Sequence, residues 1–596
     1  MEMADIQWTH LMDLQPGWRM IGQNGVHQLA ILDTPTPHAA DVQRFGDHVV
    51  AVLSNDVRAA DIVELIGIHR ERFVEGLRTR WPAAGIIWNT ATDECCIFRD
   101  IWGFVIWGVS RIQNAFECTT SPDIFSRMVH GRPLCDMRIA SYLQQTEDDS
   151  RADFFDHTER ILPGECLILS NHCSRFFEGL LGKTGNSAAK ITQKQMHRVS
   201  YWANRNYHCF DASYDEVMHE LRRQLVKASS RIGQRKDLCF TLSGGLDSSG
   251  ILSTYSSENP SDCGRKFDAM SLISHAHPSC DESAELDVLE KALPIRLLRV
   301  NMDDAWTLSR PELYERYGSW GPMASPGIEP NLLGYEAAAQ AFGARTIITG
   351  YGGNLIVKVR PESLLRHVLK HGQANEALRT VQSLDSVTIR YLLARTAANS
   401  FGGIAYRMYQ RLRRHPVSSI TNRCMSPWFN AQFCDLQADP VFCMTHVQER
   451  AWLPISWDWE YMVRCLDKLA RLTPHRFYDP LTDPVLYDFC AQIPPQYFER
   501  YGEYRKIYKD ALAAFLPDAI IAHPKCQSFD DISHEGLGHQ AAAYIQSRIQ
   551  SCSYPHIRCD GMQEVYRDYL NDTASHHCRM RLGDIWRPLS LCFWKV

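Results

Sequence analysis

A short loop rich in glycine and serine is the part of the sequence best suited to chemistry. It has the sequence SGGLDSS, spans residues 243–249, and stands between the apolar run Leu238 to Leu242 and a helix-like stretch. Glycines let the backbone turn sharply and approach an anion, while hydroxyls and the N–H groups of a helix start donate to phosphate oxygens. The carboxylate of Asp247 suits Mg²⁺. The loop therefore predicts a site for a nucleotide phosphate.

This loop differs from two commoner nucleotide-binding loops. It lacks the Lys-Ser/Thr ending of a Walker A loop, and it lacks the second glycine spacing of a dinucleotide fingerprint. The sequence therefore argues against transfer of a γ-phosphate and against a dehydrogenase.

Alternating helices and strands are predicted around the loop. Apolar residues on one helical face predict a helix over Tyr214 to Ile232. Short apolar runs predict strands at residues 238–242, 268–273, 294–300 and 345–349. This alternation predicts a parallel sheet covered by helices, and residues 361–450 are interpreted as part of that helical cover.

The first third of the chain has a different pattern. Short β-like runs separated by turn residues occur at residues 49–53, 85–88, 95–98 and 166–169, which indicates a β-rich or mixed domain. A Gly, Ser, Lys and Gln-rich stretch at 178–203 is interpreted as a connector. We therefore expect two domains, residues 1–200 and 201–596.

Composition narrows the class of function. The 596 residues are 45% hydrophobic and carry a net charge of -6, so no basic field is present to attract nucleic acid. No run of about 18 apolar residues occurs, and the chain starts with acidic rather than basic residues, so we expect no membrane span, no signal peptide and a cytoplasmic location. The 20 cysteines are expected to be thiols.

The loop SGGLDSS is similar to the pyrophosphate loop of the asparagine synthetase superfamily, whose members cleave ATP between the α and β phosphates. Four more segments resemble that family and follow in its order. Residues 266–285 resemble its second strand with the Asp-Glu-Ser helix start at 281–283, residues 349–354 its loop over the pyrophosphate, and residues 477–498 and 504–529 its C-terminal helices and catalytic lysine segment. The resemblance implies an α/β chain in two parts. A degenerate Ntn-type, glutaminase-like α+β domain would precede a parallel-sheet adenine-nucleotide α-hydrolase (PP-loop) synthetase domain.

The resemblance also implies the site residues. ATP would contact Leu242, Ser243, Gly244, Gly245, Leu246, Asp247, Ser248, Ser249, Leu272, Gly350, Tyr351 and Lys525. Magnesium would be held by Asp247 and Asn354, and the lack of charge on the asparagine would leave more of the binding to Asp247. Lys525 would stabilise the α-phosphate and the developing oxyanion. Tyr351 resembles a residue of the beta-lactam synthetases that assists deprotonation of the amine, with Asp385 as its acidic partner.

The N-terminal third resembles the family's glutaminase domain at Phe98-Arg99-Asp100 and at residues 154–169. Glutamine-using members begin with a cysteine whose thiol attacks the amide and whose free amine is the base. Here Glu2 follows the initial methionine and the first cysteine is Cys95. We therefore expect no ammonia from glutamine and a nucleophilic amine already present on the substrate.

Two ring-closing branches of the family lack that cysteine: the beta-lactam and carbapenam synthetases, and the cyclases of lasso peptides. Chain length, the long stretch after the loop at 349–354, and Pro427-Trp428-Phe429 with Phe433 favour the cyclases, although core packing also explains these aromatic residues. The expected partners are a precursor peptide and a leader-peptide-processing protease. Small-molecule ring closure, ammonia-dependent asparagine synthesis and a binding role without catalysis remain as alternatives.

Overall fold

The structure is a computed structural model of the chain. It describes residues 18–24, 27–32, 40–53, 58–62, 84–89, 91, 94–112, 115–120, 122–144, 151–170, 195–202, 205–233, 237–259, 266–316, 320–323, 325–357, 359, 364, 367, 423–427, 446–473, 475–500, 503–523, 530–574 and 582–594.

The strands are, in chain order, β1 (Trp18–Asn24), β2 (His27–Leu32), β3 (Ala40–Phe45), β4 (His48–Leu53), β5 (Ala84–Asn89), β6 (Glu94–Phe98), β7 (Gly108–Ile112), β8 (Ala115–Thr119), β9 (Thr158–Arg160), β10 (Glu165–Ser170), β11 (Gln195–Ser200), β12 (Leu238–Thr241), β13 (Phe267–Ile273), β14 (Ile295–Asn301), β15 (Thr346–Ile348), β16 (Arg476–Tyr478), β17 (Glu499–Arg500) and β18 (Glu503–Tyr504).

The α-helices are α1 (Pro122–Met128), α2 (Asp136–Leu143), α3 (Tyr214–Ser230), α4 (Leu246–Glu258), α5 (Ser283–Ala292), α6 (Glu312–Arg316), α7 (Glu329–Phe342), α8 (Gly353–Val357), α9 (His446–Trp452), α10 (Trp457–Leu472), α11 (Pro484–Cys490), α12 (Pro495–Phe498), α13 (Lys506–Leu512), α14 (Asp518–Ala522), α15 (Asp530–Glu535), α16 (Ala542–Gln550), α17 (Cys559–Ala574) and α18 (Leu582–Phe593). Among the described helices, none has both the length and the apolar character needed to span a bilayer.

A five-stranded parallel sheet forms the centre of the larger, C-terminal part. Its strand order is β14-β13-β12-β15-β16, and all four pairings are parallel, which confirms the predicted parallel sheet. The chain adds β13 and β14 on one side of β12 and then returns to place β15 on the other side. In sheets of this kind, ligands bind at the carboxyl ends of the two strands where the order reverses. Here that place, named the switch point, lies at the carboxyl ends of β12 and β15.

The helix before β12 forms as its periodicity predicts. Ser213 caps α3 by accepting the N–H of Glu216, whose side chain reaches back to the N–H of Ser213, so the two residues form a capping box. The predicted apolar face of α3, which includes Leu221 and Leu225, is buried. The helix ends at Ser230, two residues before the predicted end.

The N-terminal part contains antiparallel sheets. Six strands pair in the order β11-β10-β6-β5-β4-β3, and three pair in the order β8-β7-β9. The predicted β-like runs lie in β4, β5, β6 and β10 and are confirmed. Ile97 and Leu167 of the larger sheet pack with Val109 of the smaller one, so the two sheets share a buried apolar layer.

Two predicted elements need correction. Residues 195–200, interpreted as connector, form β11 and pair with all of β10, because a backbone ladder can satisfy a strand of mixed polarity at a sheet edge. Residues 477–498, expected to be helical, begin with the end of the strand β16. The predicted helical cover at 361–450 lies mostly outside the described residues.

The two parts share a buried polar contact as well as a common core. Arg99 Nη1 of the N-terminal part lies 3.0 Å from Glu460 Oε2 on α10, and both side chains are 0% exposed. Trp102 meets Trp459 and Tyr487 in edge-to-face contacts nearby. α10 precedes β16, whose carboxyl end lies next to that of β15. The N-terminal part therefore packs on the helix that leads into the strand beside the switch point.

Candidate nucleotide site

The glycine- and serine-rich loop at residues 243–249, named the phosphate loop from here on, lies at the switch point, where β12 is followed by α4. The Ser243 N–H donates to Ser248 Oγ at 3.0 Å, and the two hydroxyls are 2.9 Å apart. The Gly244 N–H donates to Glu282 Oε2 at 3.0 Å. Gly245 caps α4 without a side-chain hydrogen bond. The start of this 13-residue helix is therefore suited to an anion.

A second glycine loop, at residues 349–354, lies against the phosphate loop. A Cβ atom built on Gly353 would lie 2.2 Å from Cγ of Asp247, and one built on Gly350 would lie 3.1 Å from the backbone nitrogen of Ser248. Glycine at these positions is what allows the close approach. The two loops that the resemblance assigned to one ATP site therefore meet at the switch point.

Asp479, directly after β16, holds the second loop in place. Its Oδ2 accepts the N–H of Gly352 at 2.7 Å and the hydroxyl of Thr349 at 3.4 Å, and its Oδ1 accepts the N–H of Leu481 at 3.0 Å. Burial raises the pKa of Asp479 to about 7, and the charge of Asp247 acts in the same direction. The acid therefore fixes the backbone of the loop.

Arg505 brings a positive charge to the junction of the two loops. Its Nη1 donates to both carboxylate oxygens of Asp247 at 3.0 Å, and its Nη2 donates to Asn354 Oδ1 at 2.8 Å. Its side chain is buried, and its Nε has no acceptor among the described residues. Its φ of 59° is left-handed, which costs a non-glycine residue on the order of 1–3 kcal/mol. The surrounding contacts hold this strained backbone with the guanidinium facing the loops.

The positions of Asp247 and Asn354 test the predicted magnesium site. Their oxygen atoms accept hydrogen bonds from the two Nη atoms of Arg505, Asp247 from Nη1 at 3.0 Å and Asn354 from Nη2 at 2.8 Å. The guanidinium therefore occupies the place where a shared Mg²⁺ would need these oxygens at roughly 2.0–2.1 Å. Within the described ranges, no group of three or more His, Cys, Asp or Glu side chains could hold a metal. In this arrangement the pair does not fit a protein-bound Mg²⁺.

Tyr351 points from the second loop towards α7. Its hydroxyl lies 3.0 Å from that of Tyr335 and donates to Asn331 Oδ1 at 3.3 Å. Burial raises the pKa of Tyr351, and Asp479 and Cys465 act in the same direction through space. The phenol therefore stays protonated near neutral pH and can donate a hydrogen bond.

Two predicted catalytic residues, Lys525 and Asp385, lie outside the described residues. His523, two residues before Lys525 in the sequence, lies near the phosphate loop. His523 Nδ1 lies 3.2 Å from Glu285 Oε1, and Cβ of Glu285 lies 2.5 Å from where a Cβ on Gly244 would be. The catalytic roles of Lys525 and Asp385 stay predictions.

The remaining predicted contacts of ATP lie around the loop. Leu242 and Leu246 are buried on either side of it, and Ser249 Oγ donates to backbone carbonyls within it. Leu272 lies on β13 and packs on α7, where its Cδ2 would be 3.0 Å from a Cβ built on Gly334. Their contact with a nucleotide stays a prediction.

Three residues that shape the site were not singled out from the sequence: Glu282, Asp479 and Arg505. Glu282 lies in the Asp-Glu-Ser segment that the resemblance identified, so that signal could have found it. Asp479 is an acid within a mostly apolar segment, which is a weaker signal. Arg505 is one of 63 lysines and arginines, and its left-handed backbone has no sequence signal.

Comparisons with known proteins cover this part of the chain. A family model described as asparagine synthase matches residues 220–594, which include the whole parallel sheet. Among solved structures, the chain matches glutamine phosphoribosylpyrophosphate amidotransferase from B. subtilis, complexed with ADP and GMP, at 12% identity over 53% of this chain and 73% of that chain. The TM-score of 0.14 is too low to support an argument. A search of curated proteins gave no match.

Proposed function

The chain belongs to the asparagine synthase family of ATP-dependent carbon–nitrogen ligases, and on that basis we propose that it forms AMP: it activates a carboxylate as its adenylate and passes the acyl group to an amine. One observation carries this proposal. The open start of α4 and the guanidinium of Arg505 meet at the switch point, where Gly350 touches the phosphate loop. Together they suit a pyrophosphate leaving group, and the loop has no Walker lysine to favour a γ-phosphate.

The protein's groups would act at defined stages. The substrate carboxylate attacks the α-phosphate of ATP and pyrophosphate leaves, so negative charge develops beside Arg505 and the start of α4, which stabilise it. Lys525 is proposed to stabilise the α-phosphate and the oxyanion of the following step. An N-terminal amine has a pKa of about 8, so it must lose a proton before it attacks the adenylate carbonyl. Tyr351 is proposed to assist this deprotonation, with Asp385 as its acidic partner.

The proposed substrate is a precursor peptide, whose side-chain Asp or Glu carboxylate is joined to its own N-terminal amine in a macrolactam, as in lasso peptide cyclases. Two features support it: the long stretch between Val357 and His446, and the Pro427-Trp428-Phe429 sequence within that stretch. A leader-peptide-processing protease is the proposed partner, because the attacking amine must first be released.

Closure of a small-molecule ring is the second candidate. The observation that favours it is Tyr351, which resembles the tyrosine of the beta-lactam synthetases and is held between Tyr335 and Asn331. The two candidates share the adenylation step and differ in the substrate that carries the carboxylate and the amine, a precursor peptide in the first and a small molecule in the second.

The test supplies precursor peptide, its processing partner, ATP and Mg²⁺, and follows nucleotides and peptide mass. We expect AMP, pyrophosphate and a peptide lighter by one water. Replacing the Asp or Glu of the peptide whose carboxylate is activated with Asn or Gln should stop ring formation, because an amide is not adenylated in this way. ADP with phosphate would contradict the proposal, and AMP without a change in peptide mass would favour the small-molecule candidate.

A further inference from the structure

Two cysteine thiols meet where the helix α18 packs on α16. Cys552 follows the C-terminal end of α16, and Cys592 lies near the end of α18. Their Sγ atoms are 2.7 Å apart, and the Cys592 thiol donates to Cys552 Sγ. Both are free thiols, whereas the sulfur atoms of a disulfide are roughly 2.05 Å apart. A bond between them therefore needs only a small movement.

Other contacts hold the same two segments together without the sulfur atoms. Arg548 Nη2 donates to the carbonyl oxygen of Cys592 at 2.9 Å. Two residues beyond each cysteine, the Tyr554 hydroxyl donates to the carbonyl oxygen of Trp594 at 2.5 Å, and the two rings stack with an angle of 6° between their planes. These contacts place the two thiols opposite each other, so the pairing does not depend on a bond between the sulfur atoms.

The two thiols differ in accessibility and acidity. Cys552 is half-buried, whereas Cys592 is buried. The hydrogen bond from Cys592 lowers the pKa of Cys552, and the N–H of Tyr554 and the charge of Arg548 act in the same direction against burial. That hydrogen bond and burial raise the pKa of Cys592. Because the thiolate is the nucleophile, Cys552 is suited to react first and Cys592 second.

Two neighbouring cysteine contacts lack this combination. Cys559, the first residue of α17, donates to the carbonyl oxygen of Cys552 at 3.1 Å, so its thiol contacts the backbone rather than the sulfur. Cys96 and Cys166 form a thiol contact between β6 and β10, but both are buried and the pKa of Cys96 is raised. The pair of Cys552 and Cys592 joins an accessible thiol of lowered pKa to a second sulfur atom.

We propose that Cys552 and Cys592 form a site of reversible oxidation by a hydroperoxide. The Cys552 thiolate attacks one peroxide oxygen, the O–O bond breaks, and the other oxygen leaves and takes up the proton that Cys552 released. The sulfur of Cys592 then attacks the sulfenic acid on Cys552. The S–S bond forms, the S–O bond breaks, and hydroxide leaves as water with the proton of the Cys592 thiol. The two thiols lose two electrons and the peroxide gains them, and an added dithiol reverses the change.

The disulfide would fix a helix that contacts both parts of the protein. On α18, Ser590 Oγ lies 2.6 Å from the hydroxyl of Tyr142, and Arg587 Nη1 donates to the carbonyl oxygen of Tyr142 at 2.9 Å. Tyr142 lies on α2 in the N-terminal part, whereas α16 belongs to the C-terminal part. A covalent link from α18 to α16 also restricts the unfolded chain, so oxidation stabilises the protein. This inference goes beyond the proposed function and does not depend on it.

The test treats the reduced full-length protein with hydrogen peroxide, blocks the remaining thiols, and maps tryptic peptides by mass spectrometry without reduction. Trypsin separates the three thiols, since Cys552 lies in residues 549–558, Cys559 in 559–567 and Cys592 in 582–595. The variants are Cys552→Ser and Cys592→Ala. Cys559→Ser is the matched control, because its hydroxyl can still donate to the carbonyl oxygen of Cys552. Thermal melting of each reduced variant verifies folding.

We expect one linked species, which joins residues 549–558 to 582–595, in the parent and in Cys559→Ser, and none in the other two variants. Dithiothreitol should remove it. The oxidised parent should melt roughly 2–4 °C or more above the reduced parent, whereas peroxide should not raise the melting temperature of Cys552→Ser. Linkage of Cys552 to another cysteine, or further oxidation of Cys552 without linkage, would overturn the pair. Equal melting temperatures of the reduced and oxidised parent would overturn the stabilisation through α18.

Discussion

The contact between Arg505 and Asp247 determines what an incoming phosphate would meet. Asp247 lies in the first turn of α4, where its negative charge would repel a phosphate if it stood alone. The guanidinium of Arg505 neutralises that charge. It is held rigidly because its Nη2 donates to Asn354 and because the left-handed backbone of Arg505 fixes the start of the side chain. A preorganised cation of this kind loses little entropy on binding a planar or tetrahedral anion.

Arg505→Met should weaken the binding of inorganic pyrophosphate about tenfold or more, because one charge-assisted contact is worth roughly 1.5–3 kcal/mol. Arg505→Lys should recover only part of it, since an ammonium cannot hold Asp247 and Asn354 in one plane. Calorimetric titration without divalent ions measures this directly. Lys509→Met, on the helix that follows Arg505, is the control, and equal affinity in Arg505→Met would refute the role of the guanidinium.

Lys525→Ala should abolish ATP–pyrophosphate exchange and ligation while the protein stays folded, because the proposed role of this lysine is to stabilise charge at the α-phosphate. Exchange assays with labelled pyrophosphate, together with circular dichroism, separate lost chemistry from lost fold. Exchange at the parent rate in the variant would show that the lysine assignment is wrong.

At the scale of elements, β16 positions the second glycine loop, although it is not among the strands predicted from the sequence. The strand has only three residues and pairs with β15 alone. The strand matters to the site because Asp479 follows it directly. The carboxylate of Asp479 accepts hydrogen bonds from the N–H groups of Gly352 and Leu481. A strand at the edge of the sheet thus positions a loop that begins on its neighbour.

Asp479→Ala should lower the free energy of unfolding by roughly 1–3 kcal/mol, because the buried N–H of Gly352 loses its acceptor. ATP affinity should fall with it, since the loop is no longer fixed. Asp479→Asn should cost less, because its carbonyl still accepts one N–H and because the pKa of about 7 keeps much of the native acid uncharged near neutral pH. Urea denaturation and nucleotide titration measure both effects. Equal loss in the two variants would show that charge rather than loop fixation matters.

The elements differ in how far the sequence predicts them. β12, β13, β14 and β15 carry apolar runs bounded by turn residues, which is the signal of a buried parallel strand. β16 is too short for such a signal, and β11 is polar enough to resemble a connector. In the site, Asp247 and Gly350 lie in local motifs, so they could be predicted. Arg505 reaches them only through tertiary packing, which one sequence does not encode as a pattern.

For the whole molecule, the contact between its two parts includes a buried cluster of charges. Glu460 accepts from Arg99 at 3.0 Å, from Arg160 at 3.5 Å and from Arg464 at 3.3 Å. Burial by itself would raise the pKa of Glu460, but the three guanidiniums outweigh it and lower the pKa to about 2. Breaking such a cluster leaves buried charges without partners.

Glu460→Gln should lower the free energy of unfolding by about 3–5 kcal/mol near neutral pH. Because the folded pKa is depressed, the stability due to the charge is present above the unfolded value of 4.5 and is lost as the pH falls towards about 2. The difference between parent and variant, measured by urea denaturation, should therefore shrink over that window.

The matched control is Glu220→Gln, which removes a partly exposed partner of Arg223 on α3. It should change stability by no more than about 1 kcal/mol. A difference between parent and Glu460→Gln that is as small as this, or that does not depend on pH, would contradict the role given to the buried cluster.

The Arg99 contact also has a consequence for inheritance. Arg99 donates to the carbonyls of Val105, Ile161 and Gly103 as well as to Glu460, so it joins both parts in one folding unit. A protein truncated by loss of the N-terminal part would expose Glu460 without Arg99 and Arg160, and we expect it not to fold, whatever chemistry that part performs. Selection should therefore conserve Arg99 and Glu460 in descendant genes even where the surface around them drifts freely.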